Sequence, residues 1–197
     1  MVLLVVTLGG LRAESAHPAS ALVRSTTERV LKAIESDPAL KVDRTRLESL
    51  VRRTVFPHFD FELMSRRVLG KYWRRAGRAQ RRAFVEVFQG LLLRTYSTVL
   101  TRYAGQSIAY PPLRPVTGAA LRGRPGIVVR SAIETGASSP TLVDYYLYEE
   151  QRRWLVYDVT IGGVSLIITY RASFGEIIRR DGLRRLIAQI REKNEPS

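Results

Sequence analysis

Apolar residues near the end of the chain change their spacing at a pair of glycines. Residues 154–161 alternate bulky and β-branched side chains, which is the two-residue period of a strand. One face of this predicted strand holds Leu155, Tyr157, Val159 and Ile161. After Gly162 and Gly163, apolar residues recur every three or four positions, as in an amphipathic helix. The pattern therefore predicts a strand that leads into a helix across a glycine hinge.

Helical spacing dominates the first half of the chain. Predicted helices cover residues 20–36, 43–55, 60–69 and 78–103, with Asp43 and Asp60 as N-terminal caps. The helix at 78–103 has an apolar face too broad for one neighbour, which indicates packing on several sides or on a cavity. Gly90 in its middle costs roughly 1 kcal/mol relative to alanine, so we expect a close neighbour there.

Strand-like segments follow from residue 105 onwards. Predicted strands at 107–110, 126–134, 141–149 and 154–161 are joined by short turns, which favours an antiparallel meander. Residues 111–124 are interpreted as a loop, and a final helix is predicted at 183–193. The predicted fold class is α+β, with helices packed against a twisted antiparallel sheet.

The first sixteen residues have the character of a remnant signal peptide. Residues 1–11 are almost entirely apolar but fall well short of the roughly 20 residues that span a bilayer. Ala13 and Ala16 supply the small residues typical of a cleavage site. We expect export to the periplasm and a single domain over residues 17–197. The alternatives are a frayed apolar terminus or a buried strand.

Composition limits the chemistry. The 197 residues contain no cysteine and two histidines, His17 and His58, which excludes disulfides and thiolate metal sites. Ser165 or Ser173 with His58 and Asp158 would be the residues of a small hydrolase, but the G-x-S-x-G nucleophile turn is missing. Asp60 beside His58 is better explained as a helix cap. We therefore expect neither an enzyme nor a bound metal or cofactor.

Positive charge is the strongest compositional signal. The formal net charge is +14, and only four of the 32 basic residues are lysines. Residues 71–82 contain six basic residues and no acidic one, and Arg74, Arg75 and Arg78 form a candidate docking patch. Such a patch suits an acidic partner or an anionic membrane. The alternatives are a nucleic-acid-binding surface, a solvated turn with Trp73 anchored in the core, or codon composition.

Several short motifs occur in an order that is specific when they are taken together. They are F-D-F at 59–61, L-G-x-x-W at 69–73, L-L-x-R-T-Y-S at 91–97, V-D-Y at 143–145, W-x-V-Y-D-V at 154–159, G-V-S-L at 163–166 and Y-R-x-S-F at 170–174. With these motifs, the chain from about residue 20 to 194 resembles the MlaC, or toluene-tolerance (Ttg2D-like), family of periplasmic phospholipid carriers.

The resemblance implies a deep apolar cavity, enclosed by helices and a sheet, that holds a diacyl phospholipid by its tails. It implies shuttling between an outer-membrane lipoprotein–porin complex and an inner-membrane ABC transporter with its substrate-binding subunit, which maintains outer-membrane lipid asymmetry. Nucleic acid is not among the implied partners, and the lipid is cargo rather than cofactor. A related branch associated with hopanoids leaves a different lipid cargo open.

Residues on the faces that would surround such a cavity are the candidate lipid contacts. They lie on the short third helix and its leading loop, on the long helix, on the last two long strands, and after the glycine pair. The set comprises Phe59, Met64, Val68, Phe88, Leu92, Tyr96, Val99, Tyr103, Tyr145, Tyr157, Val159, Val164, Ile168 and Tyr170. In a solid domain the same residues would form ordinary core, and the sequence leaves that alternative open.

Overall fold

A computed structural model describes residues 17–116 and 125–195, so the predicted remnant signal peptide at residues 1–16 lies outside the described residues. The helices are α1 (Pro18–Ser36), α2 (Arg44–Thr54), α3 (Phe61–Leu69), α4 (Lys71–Arg75), α5 (Arg78–Tyr103) and α6 (Leu166–Asn194). The strands are β1 (Ile108–Ala109), β2 (Arg114–Val116), β3 (Gly126–Ile133), β4 (Thr141–Glu150), β5 (Arg153–Ile161) and β6 (Val164–Ser165). Within the described ranges, no helix combines the length and the hydropathy needed to cross a bilayer.

The helix boundaries follow from local capping. The Asp43 carboxylate accepts a hydrogen bond from the Arg46 backbone amide at 3.0 Å, and the Asp60 carboxylate accepts one from the Leu63 amide at 2.8 Å. These bonds satisfy amides that have no partner inside a helix, and both predicted caps are confirmed. Gly182, with φ of 82°, interrupts α6 where the sequence predicts two separate helices.

The strands form one antiparallel sheet in which β3, β4 and β5 lie side by side. β1 and β2 both pair with β3, and β6 pairs with the other edge at β5. The predicted α+β class and antiparallel meander are confirmed. The loop predicted for residues 111–124 is wrong for Arg114–Val116, which pairs with β3 from Gly126 to Val128.

The glycine pair forms a hairpin turn rather than a hinge that leads directly into a helix. Gly162 and Gly163 have φ of 57° and 85°, left-handed values that suit a tight two-residue turn. Val164 and Ser165 then pair back onto β5 as β6 before α6 begins. The prediction that the strand leads directly into a helix is therefore corrected, because the short strand β6 lies between them.

A bulge in β5 corrects the predicted alternation of faces. Tyr146 lies opposite Asp158 and Leu147 lies opposite Val156, which leaves Tyr157 without a partner in the β4–β5 register. An unpaired extra residue reverses the alternation beyond it. Val156 and Val159 consequently share the inner face of the sheet, and Tyr157 lies with Tyr148 on the outer face.

Two hydrophobic clusters flank the space where a ligand could lie. The first joins α3, the first half of α5 and α6, where the Phe84 ring centroid is 5.6 Å from that of Phe88 and 6.0 Å from that of Phe174. The second joins the start of α1 to the inner face of the sheet. The expected close neighbour of Gly90 is confirmed: a Cβ added there would come within 2.6 Å of the Asn194 side-chain nitrogen.

Candidate functional site

An apolar cavity of about 300 Å³ lies between the helices and the inner face of the sheet. Its walls come from α1, α2, α3, the second half of α5, and strands β1, β3, β4 and β5. The lining consists mainly of aliphatic and aromatic side chains. A concave apolar space of this volume falls in the range of small-molecule binding sites, which is roughly 300–1,000 Å³.

Eight of the fourteen candidate lipid contacts line this cavity. They are Phe59, Met64, Leu92, Tyr96, Val99, Tyr103, Tyr145 and Val159. Four of them follow one stripe along the second half of α5 at helical spacing. The broad apolar face of that helix thus has two separate neighbours, the helical core near its start and the cavity near its end.

Three of the remaining candidates belong to the helical core. Val68 and Phe88 are fully buried among side chains of α3, α5 and α6. The Tyr170 ring packs edge-on against Phe88, with 5.4 Å between the ring centroids. Their placement beside the cavity is corrected, because α6 covers this part of α3 and α5 and leaves no space there.

The other three candidates lie outside the cavity for reasons of register and position. Tyr157 is the bulged residue, and its ring lies 5.9 Å from the ring of Tyr148 on the outer face. Val164 belongs to the two-residue edge strand and is 59% exposed, and Ile168 in the first turn of α6 is 69% exposed. Their predicted place on the cavity wall is therefore corrected as well.

Sequence reasoning missed the wall that the first two helices provide. Val23, Thr26 and Val30 of α1, together with Val51 of α2 and Val55 at its end, face the cavity. Their spacing of three and four residues marks a buried stripe on each helix. Because the same stripe would also suit packing against another helix, it did not identify these residues as cavity lining.

The titratable groups in the wall favour uncharged forms. Burial raises the pKa of the Tyr145 phenol to about 12. Burial and the neighbouring Tyr170 hydroxyl also raise the pKa of Tyr96. Burial, and then the positive charges of Arg29 and Arg153, lower the pKa of His58. At neutral pH the wall formed by these residues is therefore uncharged, which suits an apolar occupant.

The candidate hydrolase residues have structural partners instead. The Ser165 hydroxyl donates to the Asp158 carboxylate at 2.8 Å and accepts from the Ile168 amide at 3.1 Å, so it caps α6. Asp158 also accepts from the Ile167 amide at 3.3 Å, and Ser173 is exposed on α6. Across residues 17–116 and 125–195, no group of three or more His, Asp or Glu side chains is placed to hold a metal ion.

The candidate docking patch lies on the surface, with its aromatic neighbour buried. Arg74, Arg75 and Arg78 are exposed, whereas Trp73 is only 6% exposed. Arg81 lies over the Trp73 ring at 5.4 Å and donates to the Trp73 carbonyl at 3.0 Å. Because the ring is covered, it offers no face for stacking a nucleic-acid base.

Sequence comparison relates the chain to one protein family. Residues 24–192 match the sequence model of the MlaC protein family. The chain is 24% identical over 176 residues to the intermembrane phospholipid transport system binding protein MlaC of Haemophilus influenzae, covering 87% of this chain and 79% of that protein. It is also 24% identical over 163 residues to the toluene tolerance protein ttg2D of Pseudomonas putida, covering 82% of this chain and 73% of that protein.

Structural comparison gives the same relationship. A phospholipid-binding protein from Ralstonia solanacearum, solved in complex with a phospholipid, matches with a TM-score of 0.78 and 31% sequence identity. The match covers 89% of this chain and 96% of that structure. The family match extends over both the helical core and the cavity-bearing sheet, and the chain therefore belongs to the MlaC family.

Proposed function

We propose that this protein is a periplasmic carrier that holds a phospholipid by its acyl chains in the apolar cavity. The observation that carries the proposal is the cavity itself, with eight candidate contacts in its wall. The related Ralstonia solanacearum protein, described with a bound phospholipid, supports this cargo.

The physics of transfer explains why such a carrier needs a cavity but no reactive group. Removing one CH₂ from water contributes about 0.8 kcal/mol, so two acyl chains of about 30 such groups would cost on the order of 20 kcal/mol to cross water uncovered. An apolar cavity matches the bilayer interior and removes that cost for the part of the acyl chains that it encloses. Transfer in both directions then becomes nearly neutral, which allows reversible loading and release.

The name of the Haemophilus influenzae relative refers to an intermembrane phospholipid transport system, which supports a role with partners in the two membranes. We propose that the protein exchanges lipid with an inner-membrane ABC transporter through its substrate-binding subunit, and with an outer-membrane lipoprotein–porin complex. This exchange would maintain the lipid asymmetry of the outer membrane. The exposed Arg74, Arg75 and Arg78 supply a cationic surface for an acidic partner or an anionic membrane.

Organic extraction of the purified protein tests the cargo. We expect mass spectrometry to find phospholipid in near-equimolar amount, and protein stripped of lipid to take up fluorescent phospholipid from vesicles. An extract free of lipid, combined with no uptake from vesicles, would contradict the proposal.

Charge reversal tests the docking patch. We expect Arg74→Glu, Arg75→Glu and Arg78→Glu together to slow lipid delivery to acceptor vesicles while bound lipid stays unchanged. The matched control reverses three exposed arginines of α6, Arg179, Arg184 and Arg191. An equal slowing by the control would attribute the effect to net charge, and loss of bound lipid would assign the patch to the fold.

A further inference from the structure

Basic side chains from three separate elements lie near one part of the cavity wall. His58 ends the single helical turn Phe56–His58, and its side chain lines the cavity. Arg29 comes from α1, and Arg153 begins β5. Both arginines are exposed and His58 is half-buried, so this part of the wall borders solvent.

Hydrogen bonds hold both guanidinium groups toward this place. Arg29 donates through Nε to the Ser25 carbonyl at 3.3 Å and through Nη2 to the Thr26 hydroxyl at 3.5 Å, and Thr26 itself lines the cavity. Arg153 donates through Nη2 to the carbonyl of Pro57, the residue before His58, at 3.3 Å. Each guanidinium therefore uses part of its donor set locally and keeps other N–H groups available.

Among the described residues, neither Arg29 nor Arg153 forms an ion pair. The Asp60 carboxylate accepts hydrogen bonds from the Leu63 amide and the Tyr148 hydroxyl. The Glu150 carboxylate, whose residue lies opposite Arg153 in the register, accepts from the same hydroxyl at 3.2 Å.

We propose that Arg29, His58 and Arg153 bind the phosphate group of the lipid whose tails occupy the cavity. The inference rests on the proposed function and names the polar end of that same site. A phosphate diester carries one negative charge and offers several acceptor oxygens, which suit two guanidinium groups and an imidazole N–H. Placing the anion at the wall where the cavity borders solvent leaves the tails in the apolar interior.

The phosphate and the acyl tails contribute separately to lipid binding. The pKa of His58 reports the phosphate, and His17 is the second histidine in the chain. Burial, and then both arginines, disfavour the imidazolium form of His58, so an anion placed beside the arginines should raise the pKa of that ring. Proton NMR can follow the Cε1–H signals of His58 and His17 through a pH titration, with His17→Gln assigning the pair. A diacylglycerol that carries the same acyl chains supplies tails without phosphate.

The experiment compares the stripped protein loaded with phospholipid and with the matching diacylglycerol. We expect both lipids to bind, and the pKa of His58 to be higher with phospholipid than with diacylglycerol. We expect Arg29→Gln with Arg153→Gln to abolish that difference and to reduce the preference for phospholipid over diacylglycerol about tenfold. Arg179→Gln with Arg184→Gln removes the same charge from α6 and should leave both readouts unchanged.

Three outcomes would overturn the inference. An equal His58 pKa with both bound lipids would show that no phosphate lies beside the ring. Loss of the difference in the α6 control would show that only net charge matters. If inorganic phosphate alone raises the pKa as far as phospholipid does, the site binds free phosphate and the headgroup assignment falls. Failure of both lipids to bind would instead refute the proposed carrier function.

Discussion

A bulky substitution at Val99 distinguishes a cavity from a close-packed core. Val99 lies in the second half of α5, and its side chain lines the apolar cavity. In Val99→Trp the indole adds about seven non-hydrogen atoms to the side chain. In a filled core such an insertion typically costs about 1–3 kcal/mol of stability. In a cavity the ring occupies space that the lipid leaves, so the melting temperature should stay near the native value.

The loss of lipid affinity follows from the displaced volume. An indole ring occupies the space of about four methylene groups, and each contributes about 0.8 kcal/mol on transfer from water. The expected loss is about 3 kcal/mol, or roughly 100-fold in affinity. Phospholipid should therefore be nearly absent from the purified Val99→Trp protein.

The assay measures lipid phosphorus per folded molecule together with the melting temperature. Val164→Trp is the matched control, because it introduces the same residue at a site that is 59% exposed and outside the cavity. We expect this variant to keep both its lipid and its stability. A strongly destabilised Val99→Trp protein that retains its lipid would refute the reasoning and place Val99 in ordinary core.

Two further predictions concern the scaffold. Gly90→Ala should leave the free energy of unfolding nearly unchanged, because the roughly 1 kcal/mol gained in helix propensity is offset when the new Cβ displaces the Asn194 amide that donates to a carbonyl of α5. Gly175→Ala, where the added Cβ meets open space, should instead raise the free energy of unfolding by up to about 1 kcal/mol. Urea denaturation measures both variants, and equal gains at the two sites would contradict the contact between Gly90 and Asn194. Asp144→Asn should destabilise the protein at pH 7, because the Arg130 ion pair holds the pKa of Asp144 below its ordinary value of 3.8. That stabilisation is complete above pH 3.8 and is lost as the pH falls through the lower folded-state pKa, so the deficit should shrink only in strong acid.

Local signals made the element boundaries predictable from sequence. The long helix has its predicted bounds, Arg78 and Tyr103, and Asp43 and Asp60 accept the backbone hydrogen bonds expected of helix caps. The β5 bulge has no such signal. The alternation of side chains stays regular through Tyr157, and the register depends on how β4 and β5 pack together. The sequence of one strand therefore could not assign its faces.

The sequence also could not distinguish residues that line the cavity from residues that belong to the core. Val68 and Leu92 are both apolar residues at helical spacing, and each avoids water in the folded protein. An apolar pattern reports that a position is shielded from solvent, but it does not report whether protein or empty space lies opposite. Only the packing of α6 over Val68, and the distance between the second half of α5 and the sheet, separated the two cases.

The division of α5 between a filled core and an empty space bears on how this protein can change through evolution. Its first half is held by Phe84, Phe88 and the aromatic residues of α6, away from the cavity. Substitutions along Tyr96, Val99 and Tyr103 alter the shape offered to cargo while that anchor persists. One continuous helix thus joins a close-packed segment, where substitutions are costly, to a cavity-lining segment, where substitutions change the shape of the cavity, so selection for a different cargo can act on the second segment without rebuilding the fold.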